Sequence, residues 1–350
     1  MKNRVRFAVI GAGSIGQQHM EALRQCSRAE LVAVAESNPQ RLREATERFG
    51  LIAGHTDYRE VLARPDVNAV SIALPNFLHA PAALAALRAG KHVHLEKPMA
   101  LNAREAARVI AVAKRKQRVL MVGQNMRFTR DAQMLKLQIE QGALGDVYHA
   151  RAWWIRRQGI PRLGSWFTQK RFAGGGALLD IGVHMLDLAL YLMDNFQPQS
   201  VAGITHARFG PRGLGGGGWG SSEIDKKAVF DVDDYAVALI RLKGGKSVIL
   251  EAAWAAHLPE PSHGVQLYGT DGGAAIFPAR VYRRSARPPA YEIITPESMP
   301  LPFPEERLHH FVDCILDRKK PLVAPRKSLA VQRILDAVYE SAHTGREVRL

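Results

Sequence analysis

The first 124 residues alternate between short apolar runs and longer segments typical of helices. The apolar runs predict strands that are buried on both faces, at 5–10, 31–35, 69–73, 92–95 and 119–122. The segments between them predict helices at 17–25, 39–49, 57–63, 80–89 and 103–115. Strands that alternate with helices of this length favour a parallel sheet with right-handed crossovers, so residues 1–124 are predicted to form a doubly wound α/β domain.

After Gly123 the pattern changes to strands with hairpin-like spacing. The predicted strands are 147–155, 201–209, 235–242, 247–254, 264–268, 274–277 and 291–295, and the predicted helices are 130–141 and 176–193. Glycine-rich turn sequences at 243–246 and 270–273 separate strand-like runs. Residues 125–350 therefore favour an α+β domain with a large, mostly antiparallel sheet, whose exposed face is a common surface for a homodimer or homotetramer. A last helix at about 327–343 is a candidate to pack back on the first domain.

The composition is that of a folded chain of two domains. Of the 350 residues, 47% are hydrophobic and 23% are charged, and a domain takes on the order of 150 residues. The cysteines, Cys26 and Cys314, are far apart, which argues against a disulfide framework or a thiolate metal cluster and favours a reducing, cytoplasmic compartment. No apolar stretch approaches ~18 residues, and the first apolar run is too short for a signal peptide, so no membrane partner is expected.

The net charge of +15 favours a solvated basic surface. Binding to nucleic acid would require a basic stripe interleaved with aromatic residues or a known reader motif, and the sequence has neither. The densest basic run, at 114–118, ends an alanine-rich helix, where cations stabilise the helix dipole. We therefore expect no nucleic-acid partner.

A glycine-rich turn joins the first predicted strand to the first predicted helix. Residues 11–16 have the spacing G-x-G-x-x-G in the strand–turn–helix context that a dinucleotide site needs. Gly11 permits the tight turn, Gly13 lets the backbone approach a pyrophosphate, and Gly16 allows close packing of helix and strand. The sequence thus predicts a Rossmann-type cofactor site containing Gly11, Gly13, Ser14, Ile15 and Gly16.

Glu36 ends the second predicted strand, 20 residues after Gly16. A carboxylate at this place accepts hydrogen bonds from the adenosine ribose hydroxyls and repels a 2′-phosphate. Ser37 and Asn38 follow it, and Arg41 comes one helical turn later. The prediction is therefore that the cofactor is NAD in preference to NADP.

Three further motifs give the chain a family resemblance. They are Leu-Pro-Asn at 74–76 with His79, Ala-Gly-Lys-His-Val at 89–93 leading into Glu-Lys-Pro at 96–98, and Gly-Gly-Gly at 174–176 followed by Asp180-x-Gly182-x-His184. With the glycine-rich turn, they make residues 5–124 and 174–187 resemble the glucose–fructose oxidoreductase / inositol dehydrogenase / rhizopine-catabolism (Gfo/Idh/MocA) family. Weaker agreement continues through 233–235 and the terminal helix. The resemblance implies an NAD(P)-dependent oxidoreductase that acts on a CH–OH group of a sugar, an inositol or a related polyol.

The chemistry of such a reaction identifies three candidate catalytic and substrate-binding residues. Oxidation of a carbinol removes the hydroxyl proton while a hydride leaves the carbon, so the site needs a general base and donors that polarise the oxygen. His184 is suited to be the base because imidazole titrates near neutrality. Asp180 lies four residues earlier on the same helical face, and the resemblance implies that it contacts substrate and helps to set the histidine. Lys97 follows the fourth strand at the carboxyl edge of the sheet, where ligands bind, and can stabilise an alkoxide.

Residues beside these motifs are predicted to contact the cofactor. Glu96 either orients the lysine that follows it or contacts the nicotinamide side. Asn76 is expected at the cofactor ribose, whereas His79 is open between a cofactor contact and a structural role. The resemblance also implies a cis peptide bond before Pro98. Beyond the glycine-rich turn and Glu36, the predicted cofactor set is Pro75, Asn76, His79, Glu96 and Lys97.

Metal ligation is the alternative chemistry for the face that carries Asp180, His184 and Asp187. No second histidine or cysteine has ligand spacing, and hydride transfer to nicotinamide needs no metal. We predict no metal, and we expect Asp187 to orient neighbours inside the fold.

A basic and aromatic stretch precedes the catalytic helix. Aromatic faces stack on pyranose rings, and arginine binds carboxylate or phosphate groups, so both a neutral and an anionic sugar are compatible with it. The predicted substrate contacts are Trp154, Arg156 and Arg127, the last of which marks the domain junction and is expected to face the cleft. Further candidates are Arg157, Arg162, Tyr235 and His257.

The glycine-rich segment 210–220 cannot pack a core and is either a flexible loop or a lid, with Trp219 as its one docking group. Two alternatives to a dehydrogenase stay open. One is a glycosidase that keeps NAD bound through an internal oxidation–elimination cycle. The other is a non-catalytic dinucleotide sensor, which would be expected to have lost Lys97 or His184, and both are present.

Overall fold

The first domain is a parallel sheet of six strands with its helices packed around it. The computed structural model describes residues 4–51, 53–217, 225, 227, 229–284, 291–295 and 300–350. The strands are β1 (Val5–Ile10), β2 (Ala29–Ala35), β3 (Gly54–His55), β4 (Ala69–Ile72), β5 (His92–Leu95) and β6 (Leu120–Val122), and within the described residues their order is β3-β2-β1-β4-β5-β6. The helices are α1 (Ser14–Gln25), α2 (Pro39–Phe49), α3 (Tyr58–Ala63), α4 (Asn76–Arg88) and α5 (Ala103–Lys116). The strand order reverses between β1 and β4, which confirms the doubly wound prediction and opens a ligand crevice at the carboxyl ends of the strands.

The second domain is built on a large, mostly antiparallel sheet, as predicted. Its strands are β7 (Val147–Ile155), β8 (Pro198–His206), β9 (Tyr235–Leu242), β10 (Lys246–Ala253), β11 (Ser262–Gly269), β12 (Gly272–Ile276), β13 (Arg280–Arg284), β14 (Tyr291–Ile294) and β15 (Val348–Arg349). In the described part of the chain their order is β14-β13-β12-β11-β7-β10-β9-β8-β15, and only β7 and β10 run parallel. The helices are α6 (Arg130–Glu140), α7 (Lys170–Ala173), α8 (Val183–Leu192), α9 (Arg307–Leu316) and α10 (Pro325–Thr344).

The helix predicted at 176–193 begins with a π-helical turn, Leu178–Gly182, and continues as α8. The carboxylate of Asp233 accepts hydrogen bonds from the backbone N–H groups of Gly176 at 2.7 Å and Leu178 at 2.9 Å. A Cβ atom at Gly176 would collide with the backbone of Asp233, so only glycine permits this approach. The turn that carries Asp180 is therefore fixed from a neighbouring segment of the chain.

The C-terminal segment returns to the first domain through α9, a helix that the sequence patterns did not predict. Leu308, Phe311 and Val312 of α9 are fully buried in the core of the first domain. The predicted terminal helix, α10, packs along β8 of the large sheet and also contacts α5 and β6. Helix α10 therefore contacts both domains, whereas α9 packs into the core of the first domain.

The segment Lys170–Leu192 is long and apolar enough to cross a membrane. Of its most apolar window, 94% is buried inside the protein, and α8 carries only buried residues. This is the burial expected of a core helix.

The glycine-rich segment is described as far as Gly217. It begins with a single 3₁₀ turn, Gly210–Arg212, and Gly216 forms an isolated bridge to Ile160. Residues 218–220, with Trp219, lie outside the described residues, so the expectation of a loop or lid keeps its status as a prediction.

Arg127 does not face the cleft, and the expectation that it binds substrate is wrong. Its side chain is fully buried and donates two hydrogen bonds to the carboxylate of Asp187, from Nε at 2.7 Å and from Nη2 at 2.5 Å. The guanidinium carbon lies 5.1 Å from the ring centre of Tyr191 and 5.0 Å from that of Phe196. Because Arg127 lies at the domain junction, the sequence places it near both domains. The buried carboxylate of Asp187 on α8 determines the direction of its side chain.

We predict that Arg127→Ala destabilises the fold by about 3–5 kcal/mol, the usual cost of leaving one partner of a buried ion pair alone. Urea unfolding measures this loss. The matched double variant Arg127→Met/Asp187→Leu removes both charges and should recover most of it. If Arg127→Ala left stability unchanged but raised KM for a sugar, the buried role would be refuted.

Candidate active site

A cavity of about 1040 Å³ lies at the carboxyl edge of the parallel sheet. Its walls come from both domains. The first domain supplies the turns after β1, β2, β4 and β5, and the second supplies residues from β7, the π-helical turn and α8. Glu36, which follows β2, and Asp180 and His184 of the second domain all line it. A cavity of this size and length can hold a dinucleotide together with a small substrate.

The glycine-rich turn forms the middle of this cavity. Gly11 has a φ of +97°, and a Cβ there would collide with the carbonyl oxygen of Ala73. A Cβ at Gly16 would collide with the carbonyl oxygen of Gly11, so this glycine lets α1 approach the strand. Among the described side chains none caps α1, whose first turn begins at Ser14 and lines the cavity with Ile15. The exposed N–H groups of such a helix end are a good receptor for the pyrophosphate of a dinucleotide.

Glu36 is held in place by the backbone on both sides of it. Its Oε2 accepts from the N–H of Ala12 at 2.9 Å, and its Oε1 accepts from the N–H of Asn38 at 2.9 Å. The same Oε1 also accepts from Nη2 of Arg41 at 3.1 Å. The carboxylate of Glu36 therefore lines the cavity in a fixed position, and it partly neutralises the charge of Arg41.

The residues after β4 lie at the cavity but make protein contacts of their own. Asn76 donates from Nδ2 to the carbonyl oxygen of Ala173 at 2.8 Å, which ties α4 to the second domain. Each ring nitrogen of His79 contacts a backbone carbonyl, that of Pro98 at 2.6 Å and that of Leu74 at 2.7 Å. His79 thus bridges the loops after β4 and β5, while Pro75, Asn76 and His79 all line the cavity.

Lys97 and Asp180 form an ion pair across the domain boundary. Lys97 Nζ donates to Oδ1 of Asp180 at 3.0 Å and to the Asp180 carbonyl oxygen at 2.7 Å. The other carboxylate oxygen of Asp180 accepts from Nε1 of the buried Trp254 at 2.9 Å. Burial alone would raise the pKa of Asp180, but Lys97 and Trp254 outweigh it, and the pKa lies below its ordinary value. The peptide bond between Lys97 and Pro98 is cis.

His184 lies within the same cavity, almost completely buried. Burial and the neighbouring Lys97 lower the pKa of His184 to about 3, against the opposing effect of Asp180. Nδ1 of His184 has no hydrogen-bond partner among the residues that the structure describes. The imidazole is therefore neutral.

The part of the cavity wall beside His184 is aromatic and basic. The ring of Trp154 lies 5.7 Å from that of His184 and stacks on that of His263 at 5.0 Å. The guanidinium carbon of Arg156 lies 4.9 Å from the Trp154 ring centre. Trp154, Arg156, Trp166 and Phe167 all line the cavity, whereas Arg157, Arg162, Tyr235 and His257 are not among its lining residues.

Sequence reasoning missed two residues beside Glu96. His19 contacts Glu96 Oε1 through Nε2 at 3.1 Å, and Arg307 donates from Nη2 to the same oxygen at 2.9 Å. Arg307 lies on the unpredicted helix α9 and lines the cavity. Neither residue carries a local motif, because their proximity to Glu96 arises only in the folded chain.

The described residues contain no group of three or more histidine, cysteine, aspartate or glutamate side chains that could hold a metal ion. Asp187, the third residue of the imagined metal set, binds Arg127 in the core. Asp180 and His184 belong to the cavity without it.

Comparisons with known proteins cover both domains. Residues 5–124 match the model of an oxidoreductase family with an NAD-binding Rossmann fold, and residues 132–275 match the GFO/IDH/MocA C-terminal domain. The chain is 31% identical to the D-glucoside 3-dehydrogenase of Escherichia coli (strain K12), over 99% of this chain and 97% of that protein. It is 35% identical to the levoglucosan dehydrogenase of Pseudarthrobacter phenanthrenivorans, over 68% of this chain and 63% of that one. A solved levoglucosan dehydrogenase in complex with NADH and levoglucosan superposes with a TM-score of 0.87 at 27% identity, over 99% of each chain.

We predict that NAD binds at least ~10-fold more tightly than NADP, about 1.4 kcal/mol, because the fixed carboxylate of Glu36 repels a 2′-phosphate. In Glu36→Ala the ratio should move toward NADP, since Arg41 loses its carboxylate partner. Fluorescence titration of both reduced cofactors measures the ratio. Glu36→Ala/Arg41→Ala is the control and should lose the gain in NADP affinity. Equal affinity of the wild type for the two cofactors would remove this role of Glu36.

Proposed function

We propose that the chain, which belongs to the Gfo/Idh/MocA family of oxidoreductases, transfers a hydride between NAD and a carbinol carbon of a pyranose sugar. That the chain is an NAD-dependent oxidoreductase follows from the family, whose two domains it matches over 5–124 and 132–275. The roles of individual residues and the choice of substrate are the proposal. The observation that carries it is the meeting of Lys97, Asp180 and His184 at one end of the cofactor cavity.

The groups that the reaction needs come from different parts of the chain. Lys97 follows β5 of the first domain, whereas Asp180 and His184 come from the π-helical turn and α8 of the second. A substrate between them is enclosed by both domains, in a cavity where water is displaced and hydrogen bonds to a developing charge are strong. This position favours chemistry on a hydroxyl group that both Lys97 and His184 reach.

In oxidation, the C–H and O–H bonds of the carbinol break and a carbonyl group forms. Bound NAD supplies the hydride acceptor. His184, whose imidazole is neutral, takes the hydroxyl proton. The ammonium of Lys97 donates a hydrogen bond to the reacting oxygen and stabilises its alkoxide character. Asp180 keeps that ammonium in place and is itself held by Trp254.

The substrate that we propose is a neutral pyranose or pyranoside. Trp154 and Arg156 line the cavity beside His184, where the indole can pack against a sugar ring and the guanidinium can donate to its hydroxyls. Burial lowers the pKa of Arg156, while the neighbouring Asp180 carboxylate raises it. The names of the two relatives, a D-glucoside and a levoglucosan dehydrogenase, point to neutral sugars as well.

The experiment that tests this function is a screen of NAD reduction over a panel of substrates. It contains levoglucosan, methyl β-D-glucoside, myo-inositol, uronates and sugar phosphates. We expect turnover with the neutral pyranoses and little with the uronates and phosphates. Turnover of the anionic sugars alone would contradict the substrate class, and tightly bound cofactor without net NADH formation would favour the internal redox cycle of a glycosidase.

We also propose that the outer face of the large sheet is a contact between two copies of the chain in the cytoplasm. The strand pairing in the sheet places four apolar side chains on this one face. They are Ile204 (56% exposed), Leu239 (41%), Ile249 (38%) and Tyr268 (37%). Such a contiguous apolar face on a single chain marks an interaction surface. Both cysteines are free, as in a reducing compartment.

For this contact, we expect sedimentation to show at least a dimer for the wild type. Leu239→Glu should shift it toward the monomer, because it buries a charge between the apolar faces of two sheets. Arg115→Glu is a control that reverses a charge at an exposed position of α5 in the first domain, away from this sheet face. A monomeric wild type would refute the contact.

The catalytic prediction concerns His184 and Lys97. His184→Ala and Lys97→Ala should each lose ~10²–10⁴ in kcat while NADH still binds, because general acid–base catalysis typically supplies that much. The double variant should fall well short of the product of the two, since the groups act as a unit. Asp180→Asn should lose less, unless Asp180 also holds the substrate.

The pH profile of the wild type is the second readout of the same prediction. His184 must be neutral to accept a proton, so kcat/KM for oxidation falls as the pH drops through its pKa, which burial lowers to about 3. We therefore expect no loss of activity around pH 6.5, the ordinary histidine value. Near-normal turnover of His184→Ala with an unchanged profile would show that the base is another group.

A further inference from the structure

A second charged cluster lies directly behind Lys97 and takes no part in the steps above. Oε1 of Glu96 accepts from Nη2 of Arg307 at 2.9 Å, and the same guanidinium nitrogen lies 2.9 Å from Nε2 of His19. The other oxygen, Oε2, accepts from the backbone N–H of Lys97 at 3.1 Å. Glu96 thus connects a guanidinium on one side to the backbone of the proposed catalytic lysine on the other.

Packing restricts the carboxylate of Glu96 on the sides away from the cavity, which Glu96 itself lines. Glu96 is 8% exposed, and a Cβ at Gly123 would lie 2.7 Å from its Oε1, so the backbone of the next strand closes one side. His19 closes another, and its Nδ1 contacts Oγ of the buried Ser71 at 2.9 Å. With Oε1 on Arg307 and Oε2 on the backbone N–H of Lys97, the carboxylate directly connects the two residues, so loss of the first contact affects the second.

Arg307 comes from a part of the chain remote from the motifs that it contacts. It lies at the first position of α9, which the C-terminal segment inserts into the first-domain core. From α9 the contacts run through Arg307, Glu96, Lys97 and Asp180, in which positive and negative side chains alternate. The last of these contacts is the ion pair that faces the substrate.

We propose that Arg307 is a positioning residue for hydride transfer: its guanidinium clamps the carboxylate of Glu96, which holds the backbone of Lys97 where the ammonium reaches both Asp180 and the reacting hydroxyl. This inference rests on the role proposed for Lys97 above. It adds a requirement that no motif contains, namely that α9 is docked on the first domain for the lysine to be in place.

The electrostatics give the clamp a measurable consequence. Burial alone would raise the pKa of Glu96, but Arg307 and then His19 outweigh it and hold that pKa well below its usual range. Without Arg307, burial acts against a weaker opposing charge, so Glu96 takes up a proton as the pH falls. A protonated Glu96 loses its charge-assisted contacts and the geometry that depends on them. The titratable groups that surround it are His19, His79, His94, Lys97, His184 and Arg307.

The test compares Arg307→Met, which removes the charge, with Arg307→Lys, which retains it. We expect Arg307→Met to lower kcat by about 10–100-fold, because a misplacement of about 1 Å at the reacting groups costs that much. KM for the sugar should change far less. The variant should also gain an acid limb, with activity recovered as the pH rises and Glu96 ionises. Arg307→Lys should restore part of kcat and remove the new limb.

Arg28→Met is the matched control for the docking of α9. Arg28 also holds α9, through Asp313 at 2.7 Å and Asp317, but it does not touch Glu96. If Arg307 acted only by docking the helix, Arg28→Met would show the same loss of kcat and the same acid limb, and the inference would be overturned. We expect it to show neither.

The double variant Arg307→Met/Glu96→Gln identifies the titrating group. Glutamine cannot ionise, so the double variant should have low kcat at every pH and no acid limb. Persistence of the limb in the double variant would assign it to His19 or another neighbour and would contradict the clamp. Far-UV circular dichroism and urea unfolding establish that each variant is folded at the pH values compared.

A readout without substrate separates this inference from the proposed function. Acetic anhydride labels free amines, and mass spectrometry compares the labelling of Lys97 with that of other lysines in the same sample. Release of Lys97 from Asp180 should raise its labelling several-fold in Arg307→Met but not in Arg28→Met. If the wild type turned over none of the panel and this labelling still changed, the proposed function would fail and the clamp would stand. Unchanged labelling would overturn the clamp whatever the turnover.

Discussion

The ion pair between Lys97 and Asp180 is the contact on which the rest of the site depends. Each partner alone would be a costly buried charge, and together they join the sheet edge of the first domain to the π-helical turn of the second. Both residues are also held within their own domain: the carboxylate of Asp180 accepts from Nε1 of Trp254, and the backbone N–H of Lys97 donates to the carboxylate of Glu96. The domains therefore cannot shift against each other without separating these charges. The site is built at the boundary because only there can groups from both sheets meet.

Burial has opposite effects on the acids and on the histidine of this site. It would raise the pKa of Asp180 and Glu96, and in each case an adjacent cation reverses the sign. For His184, burial and the adjacent Lys97 act in the same direction and lower the pKa. The outcome is two ionised carboxylates, a charged lysine between them and a neutral imidazole, which is the protonation state that the oxidation of a hydroxyl group requires.

The sequence was sufficient for what is local and insufficient for what is made by distant parts of the chain. The glycine-rich turn, Glu36 and the Glu-Lys-Pro and Asp-x-x-x-His motifs are each short segments whose chemistry depends on a strand end or a helix face, so their places could be predicted. Arg127 was assigned to the cleft because it stands at the domain junction, whereas its partner, Asp187, decides that it is buried. Helix α9 was missed although Leu308, Phe311 and Val312 repeat at helical spacing; only its place in the core formed by residues 5–128 depends on the folded chain. The strands β3 and β15 have two residues each and carry no pattern to detect.

The π-helical turn shows how such distant contacts set a motif that the sequence does display. Asp180 and His184 are four positions apart in the sequence, which in an ordinary helix places them on one face. Here the helix begins with a π-helical turn, which is wider than an α-helical one, and turns of this kind are frequent at functional sites. Its start is fixed by the carboxylate of Asp233, which also accepts a hydrogen bond from the hydroxyl of Tyr339 on α10 at 2.7 Å. The two C-terminal helices thus act on the two halves of the site: α10 holds the turn with Asp180 through Asp233, and α9 reaches the strand end with Lys97 through Glu96. The Glu-Lys-Pro motif of the first domain and the Asp-x-x-x-His motif of the second therefore face each other when both α9 and α10 are docked.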